Sequence, residues 1–231
     1  MILLTEEFKN ILFYIIFVLS DFMIETVFYD FDGTLGKTKD AVVKTWAKLS
    51  GRSEQLIRKT LDPDWRSYAK KLNVKLTPEL WHEEYKKHDA NLFPGAKEHL
   101  ERVKRDGYKI GLISSSASLT INDCLKKNDL STFFDVAVLG DHVKKLKPNP
   151  ECLEEAARKL ESDIGICAFV ADSPGDFLAA RIIGMRFFGV GWSDYHNPED
   201  IKKIDERIEI AANFEELYQM IKSKRSFYFI C

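Results

Sequence analysis

The pattern of hydrophobic and polar residues changes near residue 94. From there to about residue 220, short β-branched and aromatic runs alternate with stretches that carry apolar residues at helical spacing. The predicted strands are Tyr108–Ile113, Val136–Leu139, Ile166–Ala171, Phe187–Val190 and Ile208–Ile210, and the predicted helices are Ala96–Arg105, Ser118–Asn128, Pro150–Leu160, Pro174–Ile183 and one that Asn213 caps. This alternation predicts an α/β fold, with a mostly parallel sheet covered by helices on both faces.

A further buried strand is predicted at Val27–Tyr29, and it leads directly into Asp30-Phe31-Asp32-Gly33. Because residues i and i+2 of a strand point the same way, Asp30 and Asp32 start out aimed at one point. Two carboxylates that close repel each other unless a metal ion or a shared proton lies between them. An Asp-Gly turn with a solvated carboxylate explains these residues alone equally well.

Residues 36–93 are predicted to form a small all-helical module between the first strand and the rest of the sheet. Ser53 and Asp64 are candidate N-caps, and Thr77 followed by proline is a strong helix start. The module has 13 Lys and Arg against 8 Asp and Glu, so the rest of the chain carries the net negative charge. Such a module could attract an anionic substrate, although solvated helix surfaces account for most of these lysines.

The composition is that of an ordinary globular protein. The chain has 231 residues, 45% hydrophobic and 30% charged residues, and a formal net charge of −2. We therefore expect no nucleic-acid partner, which would favour a strongly basic domain. The four cysteines form no CxxC motif and are interpreted as free thiols in a reducing, cytoplasmic compartment: Cys124, Cys152, Cys167 and Cys231.

Residues 1–22 fit neither the helical module nor the α/β pattern. Their apolar run, Ile11–Leu19, is short for a membrane span and lacks the basic leader of a signal peptide. We interpret them as an apolar extension outside the fold unit, because a chain beginning at Met23 would form a normal compact domain. A helix packed on the core or on a partner is the next alternative, and a membrane anchor is the last.

Three predicted strands end in groups with useful chemistry. These are Asp30 with Asp32, Ser114 with the serines after it, and Asp172, while Lys147 lies at a helix entrance. Ligands of open parallel sheets bind at the carboxyl ends of the strands, so we expect these groups to converge. Carboxylates, hydroxyls and a lysine are what phosphoryl transfer around a magnesium ion requires.

Four short motifs, each at a predicted strand end or helix entrance, follow one another along the chain: Asp30-Phe31-Asp32-Gly33-Thr34-Leu35, Leu112-Ile113-Ser114, Lys147-Pro148-Asn149-Pro150, and Phe169-Val170-Ala171-Asp172-Ser173-Pro174-Gly175-Asp176. With them, the chain resembles the haloacid dehalogenase superfamily over residues 24–220, and specifically its phosphoglycolate phosphatase-like phosphatases. Ala171 departs from the glycine usual in the family. The resemblance implies a Rossmann-like core of residues 23–35 and 94–225, with residues 36–93 as a helical cap.

The resemblance also implies roles for the acids. Asp30 would attack phosphorus and form an aspartyl-phosphate, and Asp32 would serve as the general acid and base. Mg²⁺ would be held by Asp30, by the backbone carbonyl of Asp32 and by Asp172. Asp176 would support the metal site through a bound water or by holding the loop.

Other residues would bind the phosphate. Ser114 and Lys147 would hold the phosphoryl oxygens, helped by backbone amides near Gly33 and Ser115. Taken singly, each has an ordinary structural explanation, as a turn, a helix entrance or a surface lysine. Their joint occurrence, in order and at strand ends, favours the active site.

The sequence leaves several functions open. A phosphatase acting on a small phosphorylated metabolite, phosphoglycolate-like or a sugar phosphate, is the first expectation. A phosphomutase of the same fold and a non-catalytic phosphoryl-binding regulatory module are alternatives. Asp32 disfavours a dehalogenase, and a phosphonate hydrolase would need a suitable cap lysine. The enzyme is expected to be a monomer or a homodimer without a membrane partner, and the candidate substrate contacts are Trp46, Arg52, Trp65, Arg66 and Tyr68.

Overall fold

The computed structural model of the protein describes residues 23–224. The predictions made for residues 1–22, Cys231 and the last residue of the expected core, 225, lie outside this range. Between residues 23 and 224, no helix combines the length and the apolar character needed to cross a membrane.

A six-stranded sheet, parallel throughout, forms the centre of the protein. The strands of the described chain are β1 (Thr26–Asp30), β2 (Gly36–Lys37), β3 (Asn91–Leu92), β4 (Lys109–Ile113), β5 (Val136–Val138), β6 (Cys167–Ala171), β7 (Arg186–Val190) and β8 (Ile210–Ala211). The sheet order is β5-β4-β1-β6-β7-β8, while β2 and β3 form a separate antiparallel pair. The predicted α/β fold is confirmed, with β1 between β4 and β6.

Helices cover both faces of this sheet. The helices of the described chain are α1 (Lys39–Ser50), α2 (Glu54–Thr60), α3 (Trp65–Lys71), α4 (Pro78–Tyr85), α5 (Ala96–Arg105), α6 (Ser118–Lys127), α7 (Glu151–Lys159), α8 (Pro174–Ile182), α9 (Pro198–Lys202) and α10 (Phe214–Ser223). Along β1, Val27 and Tyr29 pack in one cluster with α5, α6 and α10, whereas Phe28 packs in the other with α7, α8 and α9. All three side chains are fully buried, which explains why β1 is continuously apolar.

The insert, which we define as α1 to α4, has a hydrophobic cluster of its own. Its centre is Trp46, which packs edge to face on Tyr68 with ring centroids 5.1 Å apart. The predicted helix starts are confirmed, since Ser53, Asp64 and Thr77 each accept a hydrogen bond from a backbone amide of the helix that follows. The division of the chain into core and cap remains a prediction.

Some elements escaped the sequence analysis. The two-residue strands β2 and β3 have no periodicity of their own, and pairing joins them where the chain enters and leaves the insert. Helix α9 was also missed, although its N-cap Asn197 and the following Pro198 are a recognisable start signal. The three described cysteines, Cys124, Cys152 and Cys167, are free and buried, in agreement with the sequence analysis.

Candidate active site

Parallel pairing brings three chemically useful strand ends together. Asp30 is the last residue of β1, and its register partner Ile113 is the last residue of β4. Ser114 therefore follows β4 next to the end of β1, and Asp172 follows β6 on the other side. The convergence expected from the strand order is present in the fold.

A turn at Gly33 brings the segment after β1 close to the carboxylate that follows β6. Gly33 has a φ of +79°, and a Cβ atom there would lie 2.2 Å from Asp172 Oδ2. Any side chain would thus be strained by the backbone and would also clash with that carboxylate. The Gly33 amide donates to the Gly36 carbonyl at 2.9 Å, and its predicted part in phosphate binding remains a prediction.

Lys147 ties two of the acids together. Its Nζ lies 2.7 Å from Asp30 Oδ1 and 2.7 Å from Asp176 Oδ1, and its side chain is 8% exposed. Burial alone lowers the pKa of Lys147, but the carboxylates of Asp176 and Asp30 outweigh that effect and raise it. The lysine is therefore a fixed positive charge at the base of the site.

Asp30, Asp172 and Asp176 form a buried acidic cluster. One carboxylate oxygen from each lies within 4.8 Å of the other two. Burial raises the pKa of Asp30 to about 7, and Lys147 opposes the rise while Asp176 and Asp32 add to it. Burial, followed by the charges of Asp176 and Asp30, also raises the pKa of Asp172. These acids therefore lack enough positive charge around them to be fully ionised, and hard carboxylate oxygens at this spacing fit Mg²⁺.

Asp176 has a second, structural contact. Its Oδ2 accepts from the backbone amide of Ser173 at 3.2 Å and from the Ser173 hydroxyl, while the Asp176 amide donates back to that hydroxyl. This reciprocal cap starts α8. Asp176 thus both holds the loop and places an oxygen in the acidic cluster.

Asp32 points away from the acidic cluster. Thr38 Oγ1 donates to Asp32 Oδ1 at 2.6 Å, and Ser116 Oγ donates to Asp32 Oδ2 at 2.8 Å. Ser114 Oγ is 3.5 Å from the same oxygen and accepts from the Ser116 amide at 3.0 Å. The turn after β1 therefore separates the two acids, so that Asp30 is beside a lysine and Asp32 is among hydroxyls.

Thr38 and the loop after β7 were missed as part of the site. The Ser193 hydroxyl donates to Asp172 Oδ2, and Tyr195 Oη lies 3.0 Å from Thr38 Oγ1. Thr38 resembles an N-cap of α1 in sequence, yet its side chain makes no capping bond. The loop could have been found, because it follows another strand of the parallel sheet at the edge where ligands bind.

A cavity of about 260 Å³ lies between the core and the insert. Its base includes Asp30, Asp32, Lys147, Asp172 and Asp176, and the serine turn contributes Ser115 and Ser116. Ser114 does not line it and is 3% exposed.

The proposed substrate contacts are distributed unevenly around this cavity. Trp46 and Trp65 line it, whereas Tyr68 is fully buried in the insert and Arg52 is exposed away from the lining. The Arg66 guanidinium donates to the core carbonyls of Lys144 at 2.8 Å and Val143 at 3.0 Å, and also to that of Gly140. Arg66 therefore fastens α3 to the segment that precedes Lys147.

Residues 27–190 match the haloacid dehalogenase-like hydrolase family, a range that covers most of the chain. The chain belongs to this family, and the predicted family resemblance and the prediction of an enzyme, a hydrolase, are confirmed. The acids and the lysine described above lie within the matched range.

Individual relatives agree with this assignment. Pyrophosphatase PpaX of Bacillus mycoides (strain KBAB4) is 26% identical over 182 residues, covering 74% of this chain and 85% of the relative. A structure assigned as a beta-phosphoglucomutase of Thermotoga maritima is 25% identical with a TM-score of 0.68, covering 87% of this chain and 99% of that one. A structure assigned as a phosphoglycolate phosphatase of Haemophilus somnus 129pt is 18% identical with a TM-score of 0.67, covering 85% and 97%. At that identity, the last likeness shows the fold alone.

Proposed function

We propose that this hydrolase is a Mg²⁺-dependent phosphatase that acts on a small phosphorylated metabolite through an aspartyl-phosphate on Asp30. The observation that carries the proposal is the separation of the two acids at the end of β1. Asp30 lies 2.7 Å from the Lys147 ammonium, while Asp32 is held by the hydroxyls of Thr38 and Ser116. One carboxylate thus stands where a phosphoryl group can be neutralised, and the other is available for proton transfer.

The reaction takes place in two steps. A carboxylate oxygen of Asp30 attacks phosphorus, the bond from phosphorus to the leaving oxygen breaks, and Asp32 gives that oxygen a proton. Water then attacks phosphorus and gives a proton to Asp32, while the bond to Asp30 breaks. Inorganic phosphate leaves, and both acids return to their starting states.

The remaining charged groups position and balance these steps. Lys147 donates to Asp30 and is the positive charge nearest to the attacking carboxylate. Asp30 and Asp172 would hold Mg²⁺, with the backbone carbonyl of Asp32 as a further ligand, and Asp176 would support the site through a bound water or by holding the loop. When bound, the ion would offset the repulsion between the acids and the incoming phosphate and polarise the phosphoryl oxygens. Ser193 keeps the Asp172 carboxylate in place through its hydrogen bond.

Replacing Asp30 tests the proposal directly. Asp30→Asn should abolish phosphate release from a panel of phosphorylated metabolites, because an amide is a poor nucleophile, while far-UV circular dichroism and the melting temperature stay near wild type. Asp89→Asn, which removes an exposed acid just after the insert, is the matched control and should keep full activity. Normal turnover by Asp30→Asn would refute the mechanism.

A phosphomutase is the second candidate, favoured by the 25% identity to the structure assigned as a beta-phosphoglucomutase. The same reaction mixtures separate the two functions. A phosphatase releases inorganic phosphate from a sugar phosphate, whereas a mutase returns an isomerised sugar phosphate with little free phosphate. A non-catalytic regulatory module would produce neither product and would only bind the phosphorylated compound.

We further propose a cytoplasmic location and a monomer or homodimer. Free, buried Cys124, Cys152 and Cys167 support a reducing compartment, because proteins of oxidising compartments commonly pair their cysteines in disulfides. Light scattering of the purified protein measures the oligomeric state, and fractionation of cells that express the chain tests the location.

A further inference from the structure

The two sides of the cavity differ in chemistry. Its base is formed by the acids and Lys147, whereas the wall contributed by the insert is mainly apolar. The wall residues that matter here are Trp46, Leu61, Pro63, Trp65, Leu76 and Trp81. A phosphoryl group at the base would therefore direct the rest of the substrate toward indole rings and aliphatic side chains.

The charged groups on this wall are partly engaged within the protein. Arg58 lines the cavity, but its guanidinium lies 2.7 Å from Asp40 Oδ1 and 3.8 Å from Glu54 Oε2. Lys39 Nζ is 3.5 Å from the Tyr195 carbonyl. Asp62 adds a carboxylate to the same wall. Lys39 thus keeps its positive charge on this wall, whereas that of Arg58 is partly offset by Asp40.

Trp65 is attached to the serine turn at the base of the cavity. Its indole Nε1 donates to the Ser115 carbonyl at 2.9 Å, so the ring is attached to the turn that follows β4. The neighbouring Arg66 fastens the same helix to core carbonyls and lies over the Trp65 ring at 5.3 Å from its centroid. The orientation of the ring is thereby fixed before any ligand binds.

The other two indoles are also held in place. Trp46 and Trp81 pack against each other with centroids 4.9 Å apart, and Trp81 stacks on Tyr85 at 6.0 Å. A rigid aromatic wall favours flat apolar groups, which can pack on the indole rings without giving up hydrogen bonds to water. The cavity of about 260 Å³ is near the small end of ligand pockets and suits a single ring system.

We propose that the site accepts phosphomonoesters whose leaving group bears one planar aromatic ring, with Trp65 as the specificity residue that stacks on the ring. The proposal rests on the phosphatase function and narrows its substrate class to esters with an aromatic leaving group. Stacking acts on a part of the substrate that does not react, so it strengthens binding rather than the chemical step.

Three phosphate esters of primary alcohols test the preference in the wild-type enzyme. Benzyl phosphate carries the ring, cyclohexylmethyl phosphate has a similar size without planarity, and 2-hydroxyethyl phosphate is polar. We expect kcat/KM for benzyl phosphate to exceed that for 2-hydroxyethyl phosphate about tenfold or more, which corresponds to about 1.4 kcal/mol. The cyclohexyl ester should fall between them. Equal or better turnover of either comparison ester would overturn the proposal.

A pair of variants isolates the ring of Trp65. Trp65→Phe and Trp65→Leu both lose the hydrogen bond to Ser115, and only the former keeps an aromatic ring. Trp65→Phe should retain most of the ratio of kcat/KM for benzyl phosphate to that for 2-hydroxyethyl phosphate. In Trp65→Leu this ratio should fall about fivefold or more, mainly through a higher KM for benzyl phosphate. Activity on 2-hydroxyethyl phosphate should differ little between the two variants. Equal benzyl preference in both would remove Trp65 from the proposal.

A binding measurement separates this proposal from the phosphatase function. Benzylphosphonate and 2-hydroxyethylphosphonate lack the bond that is cleaved, and calorimetry with wild-type protein and Mg²⁺ compares their Kd values. Tighter binding of benzylphosphonate, by about tenfold, supports the aromatic subsite even if no ester is hydrolysed. Equal binding overturns it even if hydrolysis is rapid.

Discussion

A buried histidine makes the stability of the fold sensitive to acid. His99 on α5 is 4% exposed, and its Nε2 lies 2.8 Å from the hydroxyl of Tyr29 on β1. The ring also packs edge to face on Tyr29 and against Phe214. Burial lowers the pKa of His99 from 6.5 to about 4 in the folded protein. The unfolded chain therefore binds a proton at pH values where the folded protein does not.

The sign and size of the effect follow from this difference. With a folded pKa below the unfolded value, the stabilising contribution is present above about pH 6.5 and is lost as the pH falls toward 4. The free energy of unfolding should therefore be roughly 2 kcal/mol lower at pH 5 than at pH 7.5 because of His99. For a domain of this size, that corresponds to a decrease in Tm of about 4–8 °C.

Denaturant titrations of wild type and His99→Gln at pH 7.5 and pH 5 measure this loss of stability. Glutamine keeps an acceptor for Tyr29 but does not titrate, so the free energy of unfolding should fall by roughly 2 kcal/mol less in the variant than in wild type. Comparing the two proteins cancels the titration of the buried acids. His142→Gln, which removes an exposed imidazole, is the control and should behave as wild type. Equal losses in wild type and His99→Gln would refute the reasoning.

Three further predictions concern the active site. Asp32→Asn should lower turnover of alkyl phosphates by about 10²–10⁴-fold, because their leaving oxygen needs a proton. With p-nitrophenyl phosphate, whose leaving group needs no proton, the variant should accumulate phosphoenzyme, which intact-protein mass spectrometry detects. Absence of the phosphoenzyme would count against the role assigned to Asp32. EDTA should stop phosphate release and excess Mg²⁺ should restore it, whereas undiminished turnover in metal-free buffer would contradict the metal site. Gly51→Ala, with φ of +67° and no atom within 4 Å, should cost only the backbone strain of about 1–3 kcal/mol, whereas Gly33→Ala should abolish activity and cost more, because its Cβ also clashes with the Asp172 carboxylate.

The main strands and their connections could be predicted because their signals are local. Val27, Phe28 and Tyr29 are consecutive apolar residues, and such a run is buried on both faces only in a sheet covered on both sides. Ser53, Asp64 and Thr77 could be assigned as N-caps because a cap bonds to amides two or three residues away. Strands β2 and β3 could not, because pairing alone defines them.

Within the candidate site, the sequence indicated the chemistry but not its arrangement. It supplied Asp30, Asp32 and Asp172 at strand ends, and parallel pairing explains why they meet. It did not indicate that Lys147 would bridge Asp30 and Asp176, nor that Asp32 would turn toward Thr38. Those outcomes depend on contacts between segments that are distant in the sequence, and on the turn at Gly33 that redirects the chain after Asp32.

By itself, the sequence thus determined the parallel α/β core, the helical insert and the family to which the chain belongs, since periodicity, caps and ordered motifs are properties of neighbouring residues. Only the tertiary structure decided which groups touch. Ser116 reaches Asp32 across 84 residues, Tyr195 reaches Thr38 across 157, and Trp65 of the insert reaches Ser115 of the core. Contacts between such distant residues depend on the packing of whole elements, and this packing gives one carboxylate a lysine, the other a set of hydroxyls, and the cavity its aromatic wall.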